Sequence, residues 1–148
     1  MSEPFDIEEL GTSSEEIAAV YPVIHQLRDH LDFDTFRERY LAMYEGANYR
    51  IVVLKVGDEI RAAAGFRWIE NLAVGASLYI DDLVTVEKYR SQGYGRNLVK
   101  YLEGVASAIG ANAIRLDSAI HRVDAHRFYE REGFVYFSKH FVRVLPTQ

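Results

Sequence analysis

A glycine turn near the middle of the chain constrains the fold more than any other feature. Residues 90–95, Arg-Ser-Gln-Gly-Tyr-Gly, follow a segment, residues 77–86, whose even positions are mostly apolar, as in a half-buried strand. They precede an amphipathic helix pattern in which Leu98, Leu102, Val105 and Ile109 form one apolar stripe. The sequence therefore predicts a strand, a tight turn and a helix in direct succession, which is typical of α/β folds.

The start of a helix after a glycine turn is a favourable place for an anion. The first N–H groups of a helix have no intrahelical acceptor, and the helix dipole favours negative charge there. Arg90 and Arg96 flank the turn and add positive charge, so we expect a phosphorylated cofactor. A dinucleotide motif would need glycine at Leu98, and a Walker A loop would need Gly-Lys followed by Ser or Thr. The alternative interpretation is a plain turn that binds nothing.

The remaining pattern predicts one mixed α/β sheet. Ser13 and Glu16 match a capping box that begins a first helix extending to Leu31, and a second helix is expected from Asp34, as N-cap, to Gly46. Later elements are strands at 51–56, 60–69, 77–86 and 113–120, a short helix at 124–132, and a final strand or strand pair at 134–145. The first two strands are joined by a Gly-Asp hairpin turn and are therefore antiparallel. A length of 148 residues suits a single domain, 1–148.

Composition excludes several classes of function. The chain has 17 Lys and Arg against 22 Asp and Glu, a net charge of −5, which argues against nucleic acid as a partner. It has no cysteine, which excludes a disulfide framework, a thiolate zinc site and a cysteine nucleophile. Four of the five histidines form pairs at a spacing of five, His25 with His30 and His121 with His126, which does not converge on a metal. The N-terminus is acidic rather than signal-like, and no apolar run could span a bilayer, so we expect a cytoplasmic protein without a membrane partner.

Three segments together resemble the GNAT superfamily of N-acetyltransferases. They are residues 78–86, the turn at 89–95, and Ala-His-Arg-Phe-Tyr at 125–129 followed by Gly133-Phe134. The turn matches the acetyl-CoA signature of the family, Arg or Gln followed by x-x-Gly-x-Gly or Ala, and the resemblance extends from about residue 50 to 145. It implies the GNAT fold, with mostly antiparallel N-terminal strands and a central pair of parallel strands that splay apart, flanked by helices.

The resemblance implies acetyl-CoA as the acetyl donor, and from the histidine spacing we expect no metal. The pantetheine arm would pair with free backbone groups of the central strand, and the pyrophosphate would bind to the turn. The cofactor-binding residues implied are Leu83, Val84, Val86, Arg90, Ser91, Gln92, Gly93, Tyr94, Gly95 and Arg96. Many family members have an asparagine that bonds the pantetheine where this chain has Arg122, so that contact is not expected here.

The resemblance also indicates candidates for proton transfer. Tyr129 lies on the inward side of its short helix and would donate to the leaving thiolate. The attacking amine, with a pKa of ~10.4, must lose a proton, and Asp117 or one of Asp81 and Asp82 could assist. A regular strand places Asp81 and Asp82 on opposite faces unless a bulge changes the alternation. A third possibility is that no carboxylate serves as base.

The leading hypothesis is therefore direct transfer of an acetyl group from acetyl-CoA to a primary amine of a small molecule or protein. The absence of cysteine disfavours a covalent acyl-enzyme, and the acidic balance favours a cationic acceptor. The main alternative is a non-catalytic acyl-CoA-binding sensor or interaction module. We expect a monomer or a homodimer.

Overall fold

The computed structural model describes residues 3–147, which belong to two compact units, Met1–Leu116 and Asp117–Gln148. The first unit contains β1 (Asp6–Glu9), α1 (Ser14–Leu27), α2 (Phe33–Gly46), β2 (Arg50–Val56), β3 (Glu59–Asn71), β4 (Gly75–Thr85), a 3₁₀ turn (Glu87–Tyr89), α3 (Tyr94–Ala108) and β5 (Ala113–Leu116). The second unit contains α4 (Val123–Arg131).

The sheet has the strand order β1-β2-β3-β4-β5. All neighbouring strands are antiparallel except β4 and β5, which are parallel. This confirms the predicted mixed sheet and the hairpin between β2 and β3. Both faces of the sheet are buried: Ile51 and Val53 pack in the cluster of α1 and α2, whereas Val52 and Leu54 pack in the cluster of α3. Burial on both faces explains the continuous apolar run of β2.

Strand β1 is an element that the sequence pattern did not predict. Its residues are mostly acidic and exposed, and it forms because it pairs with the edge of β2, with Asp6 opposite Lys55 and Glu9 opposite Val52. The Lys55 ammonium lies 2.6 Å from Glu8 Oε1, which adds an ion pair across the two strands. Backbone pairing with β2 and the ion pair, rather than the strand propensity of its own residues, therefore stabilise β1 as the edge strand of the sheet.

The two helices of the first unit differ from expectation at their ends. Helix α1 ends at Leu27, before the predicted Leu31, where Arg28 N–H donates to the Ile24 carbonyl. Helix α2 is capped by Asp32 and not by Asp34, because Asp32 Oδ1 accepts a 2.7 Å hydrogen bond from Thr35 N–H. That backbone bond lowers the pKa of Asp32.

The capping box at α1 is also modified. Ser13 Oγ accepts from Glu16 N–H, as predicted, but Glu16 accepts from the N–H of Gly11 and from the Ser13 hydroxyl. The Gly11 bond is the main cause of the lowered pKa of Glu16. Glu16 therefore ties the entering chain to the first helical turn.

The C-terminal strands depart most from prediction. Strand β5 ends at Leu116 rather than at residue 120, since its last partner on β4 is Ile80. The final strand or strand pair predicted at 134–145 is wrong: within residues 3–147, no ladder includes these residues. A strand exists only where a neighbouring strand accepts its backbone hydrogen bonds. Helix α4 lies within one residue of its predicted limits.

Candidate functional site

The glycine turn places the start of α3 at an exposed surface. Gly93 is the N-cap residue and has φ +85°, a left-handed conformation that favours glycine. Its carbonyl accepts the first helical hydrogen bond, from Asn97 N–H at 3.0 Å. Ser91, which also has a positive φ of 65°, and Gln92 are exposed beside it. The first N–H groups of α3, which lack intrahelical acceptors, therefore face a region that an anion can enter.

An arginine that sequence reasoning missed anchors this turn. Arg61 on β3 donates from Nη1 to the hydroxyl of Tyr94 at 3.0 Å, and its guanidinium lies 4.0 Å from the centre of the Tyr89 ring. Tyr94 is buried, so its side chain supports the turn and only its backbone could contact a cofactor. Arg90 is exposed at the other end of the turn.

Beyond Ile80, one side of β4, called its open side, pairs with no strand of residues 3–147. Within residues 3–147, β5 pairs only with Ser77 to Ile80 of β4. On the other side, Val86 N–H donates to the Arg61 carbonyl at 2.8 Å. The alternation of an antiparallel ladder then directs the backbone groups of Val84 toward β3, and those of Leu83 and Thr85 toward the open side.

This geometry modifies the predicted pantetheine contacts. Leu83 has outward-facing backbone groups, as expected. The backbone N–H of Val86 is not free, because it bonds to Arg61, and the backbone of Val84 faces β3. Thr85 presents its backbone N–H and C=O groups to the open side. The sequence could not identify this residue, because only the register between β3 and β4 decides which residues of β4 turn their backbone groups away from β3.

A bulge in β4 brings Asp81 and Asp82 to the same cavity. Gly65 pairs with Asp82, but the next residue of β3, Phe66, pairs with Ile80, so Asp81 is an extra residue in the ladder. Both residues line a cavity of about 310 Å³ that is also bounded by α1, α2 and the loop joining them. In a regular strand the two side chains would lie on opposite faces of the sheet, and the bulge removes this alternation.

Each of these carboxylates has its own cationic partner. Asp81 accepts two hydrogen bonds from Arg67, at 2.7 and 2.8 Å, which raise the pKa of the arginine. Asp82 accepts from Arg28 Nε at 2.8 Å and from the Tyr49 hydroxyl at 2.6 Å. Burial, and then the charge of Asp82, raise the pKa of Tyr49 well above its usual range. Tyr49 is therefore a neutral hydrogen-bond donor.

Asp117 and Tyr129 lie in the second unit. The ring of Tyr129 packs edge to face against Phe128 and Phe134, with centroids 5.5 and 5.8 Å apart. Asp117 follows β5, with Oδ1 3.8 Å from His140 Nδ1. Their roles, Tyr129 as proton donor and Asp117 as base, stay predictions. Arg122 is the N-cap of α4.

Within residues 3–147, no group of three or more His, Cys, Asp or Glu residues could hold a metal ion. Among the helices of the same residues, none is long and apolar enough to cross a membrane.

Residues 15–134 match the family model described as Acetyltransferase (GNAT) family. The chain belongs to this GNAT family. The glycine turn, the open side of β4 and the carboxylate-lined cavity all lie within the matched region. The family resemblance inferred from the turn motif is thereby confirmed.

Relatives and structural neighbours agree with this assignment. The chain is 38% identical over 124 residues to the N-acetyltransferase YhdJ of Bacillus subtilis, covering 83% of this chain and 87% of the relative. It is 30% identical over 125 residues to the aminoalkylphosphonate N-acetyltransferase of Salmonella typhimurium, covering 82% and 80%. A solved structure of an aminoglycoside N-acetyltransferase, AAC(6')-Iy in complex with CoA, shares the fold with a TM-score of 0.85 at 9% identity, covering 99% of this chain and 98% of the neighbour. This GNAT chain is an N-acetyltransferase.

Proposed function

We propose that this GNAT chain transfers an acetyl group from acetyl-CoA to a primary amine by direct attack of the amine on the thioester. The observation that carries the proposal is the continuity of β4 and α3. The strand leads from the cavity carboxylates Asp81 and Asp82, through the open backbone of residues 83–85, to the anion-binding start of α3. An acceptor cavity, a strip for an extended arm and a phosphate site thus follow one another along the chain.

The residues at the turn fit the phosphates of CoA. An added Cβ at Gly93 would meet no atom within 4 Å, so the space above the turn is open, and N–H groups and a helix dipole favour an anion there. Arg90, which is exposed, and Arg96 add positive charge to this acidic chain. The outward backbone groups of Leu83 and Thr85 are suited to hold the amide groups of the pantetheine arm. The cofactor, when bound, supplies an activated thioester carbonyl.

The carboxylates suit positioning better than direct proton abstraction. Asp81 and Asp82 already accept hydrogen bonds from arginine and, for Asp82, from Tyr49. Their oxygen atoms can still attract the ammonium form of an acceptor and orient it, or order a water that receives its proton. Asp117 is the alternative base.

We assign the phenol of Tyr129 to the leaving thiolate. A phenol of pKa ~10 is a weaker acid than a thiol of pKa ~8.5, so full proton transfer is uphill by roughly 2 kcal/mol. A hydrogen bond from the phenol to the developing thiolate is sufficient. Since the chain has no cysteine, an acyl-cysteine intermediate is excluded and direct transfer is favoured.

The proposal is tested by measuring release of the CoA thiol from acetyl-CoA with a panel of primary amines. We expect release that depends on the amine, with a mass increase of one acetyl group in the product. Tight binding of acetyl-CoA in titration calorimetry without amine-dependent release would instead support the acyl-CoA-binding module. Absence of CoA binding at millimolar concentration would contradict both functions.

A further inference from the structure

The cavity beside β4 contains a cation that its own carboxylates do not neutralise. Asp82 is paired with Arg28, and Asp81 is paired with Arg67, so two negative charges meet two positive ones. Arg39 also lines the cavity. Its guanidinium has no ion pair or hydrogen bond within residues 3–147. Because both aspartates of the cavity are already paired with other arginines, Arg39 is available to an anionic group of a ligand.

The position of Arg39 follows from the face of α2 on which it lies. Phe36 and Met43, three residues before and four residues after Arg39, lie on the same face of the helix and line the same cavity, as does Tyr40. Phe36 and Tyr40 are buried and fix the helix in place, while Arg39 remains exposed. A rigid apolar wall thus carries one guanidinium, which is a planar donor suited to carboxylate and phosphate groups.

We propose that the acceptor is a small primary amine that also carries an anionic group, a carboxylate, phosphate or phosphonate, which Arg39 binds. The inference rests on the proposed function and specifies its substrate class. The volume of about 310 Å³ suits a small molecule. His30, in the loop between α1 and α2, also lines the cavity and can donate a further hydrogen bond.

The same arrangement orients the acceptor. Arg39 comes from α2, whereas Asp81 and Asp82 come from β4 next to the open backbone of Leu83. An anion on Arg39 leaves the amine to approach the carboxylates, where the thioester is expected. A diamine would bring a second positive charge to Arg39, and like charges repel at such distances. The available guanidinium of Arg39 therefore favours an acceptor with an anionic group, whereas the net charge of −5 favours a purely cationic one.

The test compares short acceptors of similar length that differ in charge. Acetylation of β-alanine, 2-aminoethylphosphonate and O-phosphoethanolamine is measured against the neutral β-alaninamide and the cationic ethylenediamine. We expect kcat/KM to be at least roughly tenfold higher for one of the anionic amines than for the neutral one, since a charge-assisted hydrogen bond is lost in the latter. The rank of the three anionic amines distinguishes carboxylate, phosphonate and phosphate.

The variant Arg39→Gln tests the residue itself. We expect KM for the preferred anionic amine to rise roughly 10- to 100-fold with kcat little changed, and kcat/KM for β-alaninamide to stay within about twofold. Arg39→Lys restores part of the affinity. Arg37→Gln, an exposed position on the same helix that does not line the cavity, is the matched control and leaves all acceptors unchanged.

The outcomes separate this inference from the proposed function. Two results overturn the inference but leave the proposed transferase function intact. One is acetylation of amines with no preference for an anionic group. The other is an equal loss of kcat/KM for charged and neutral acceptors in Arg39→Gln. If no amine releases the CoA thiol, the proposed function fails. Calorimetry with 2-aminoethylphosphonate in the presence of CoA then decides the inference: binding lost in Arg39→Gln supports an anion site, and no binding to the wild type overturns it.

Discussion

The buried hydroxyl of Tyr49 donates a 2.6 Å hydrogen bond to Asp82 Oδ2, although the two residues lie 33 positions apart in the chain. Gly65 on β3 makes this contact possible, because a Cβ at that position would lie 1.8 Å from the Tyr49 hydroxyl oxygen. Gly65 is also the ladder partner of Asp82 at the β4 bulge. The tyrosine, the glycine and the bulge therefore act together to fix one carboxylate of the cavity.

The substitution Gly65→Ala should destabilise the protein and disturb the cavity. Tyr49 is buried and cannot move aside without displacing its neighbours, so we expect a loss of roughly 1–3 kcal/mol in the free energy of unfolding. Urea unfolding measures this loss, and kcat/KM should fall in parallel. Gly104→Ala is the matched control: its Cβ would meet no atom within 4 Å, and alanine in α3 should stabilise by about 0.5–1 kcal/mol. Equal stability of Gly65→Ala and wild type would contradict the close approach.

The substitution Tyr49→Phe removes the hydrogen bond and keeps the ring. We expect the free energy of unfolding at pH 7 to fall by roughly 1.5–3 kcal/mol, since the acceptor is a charged group that is mostly buried. The effect should also depend on pH. Because the folded-state pKa of Tyr49 is raised, its contribution is fully present below pH ~10 and declines as the unfolded chain ionises above that pH. Urea midpoints between pH 9 and 11 should therefore fall less steeply in Tyr49→Phe than in wild type.

Local sequence patterns predicted most of the fold, whereas non-local pairing determined what they missed. The apolar stripe that begins at Leu98 and the glycine turn are local signals, and they predicted the helix. It begins at Tyr94, inside the turn predicted at 90–95, and Ile109 lies beyond its last residue and is exposed. The edge strand β1 and the bulge at Asp81 arise from register with a distant strand. Arg61 supports the turn from β3, 33 positions away from Tyr94, and no local spacing marks it. The strand expected at 134–145 had the propensity but lacks a partner strand within residues 3–147.

The substitution Gly93→Ala tests the turn as a phosphate site. Space is available for a methyl group, but the φ of +85° costs a non-glycine residue roughly 1–2 kcal/mol. We expect CoA affinity, measured by titration calorimetry, to fall up to about tenfold, because the strained turn presents its N–H groups less well. Ser91→Ala, at a position that already holds a non-glycine residue with positive φ, should have a smaller effect. Unchanged affinity in Gly93→Ala would argue against the turn as the binding site.

The substitution Tyr129→Phe tests the proposed proton donor. We expect kcat to fall roughly 100-fold with CoA affinity nearly unchanged, since the hydroxyl would act on the leaving thiolate and not on the bound ground state. Phe128→Leu, a neighbour in ring contact with Tyr129, controls for altered packing of α4. A turnover number equal to that of wild type would refute the assignment of Tyr129.

The substitution Glu16→Gln should remove an acid-sensitive contribution to stability. The lowered pKa of Glu16, caused first by the Gly11 N–H, means that the ionised form is favoured in the folded state. Its contribution is therefore present above pH ~4.5 and is lost as the pH falls through the lowered folded-state value. We expect Glu16→Gln to be less stable by about 0.5–1 kcal/mol at pH 7, with a difference that shrinks as the pH falls below ~4.5, measured by urea unfolding. Glu15→Gln, at an exposed neighbouring position in the same turn, is the control, and its stability should show the same pH dependence as wild type. If the stability difference between Glu16→Gln and wild type persists unchanged to pH 3, the charge of the carboxylate is not its cause.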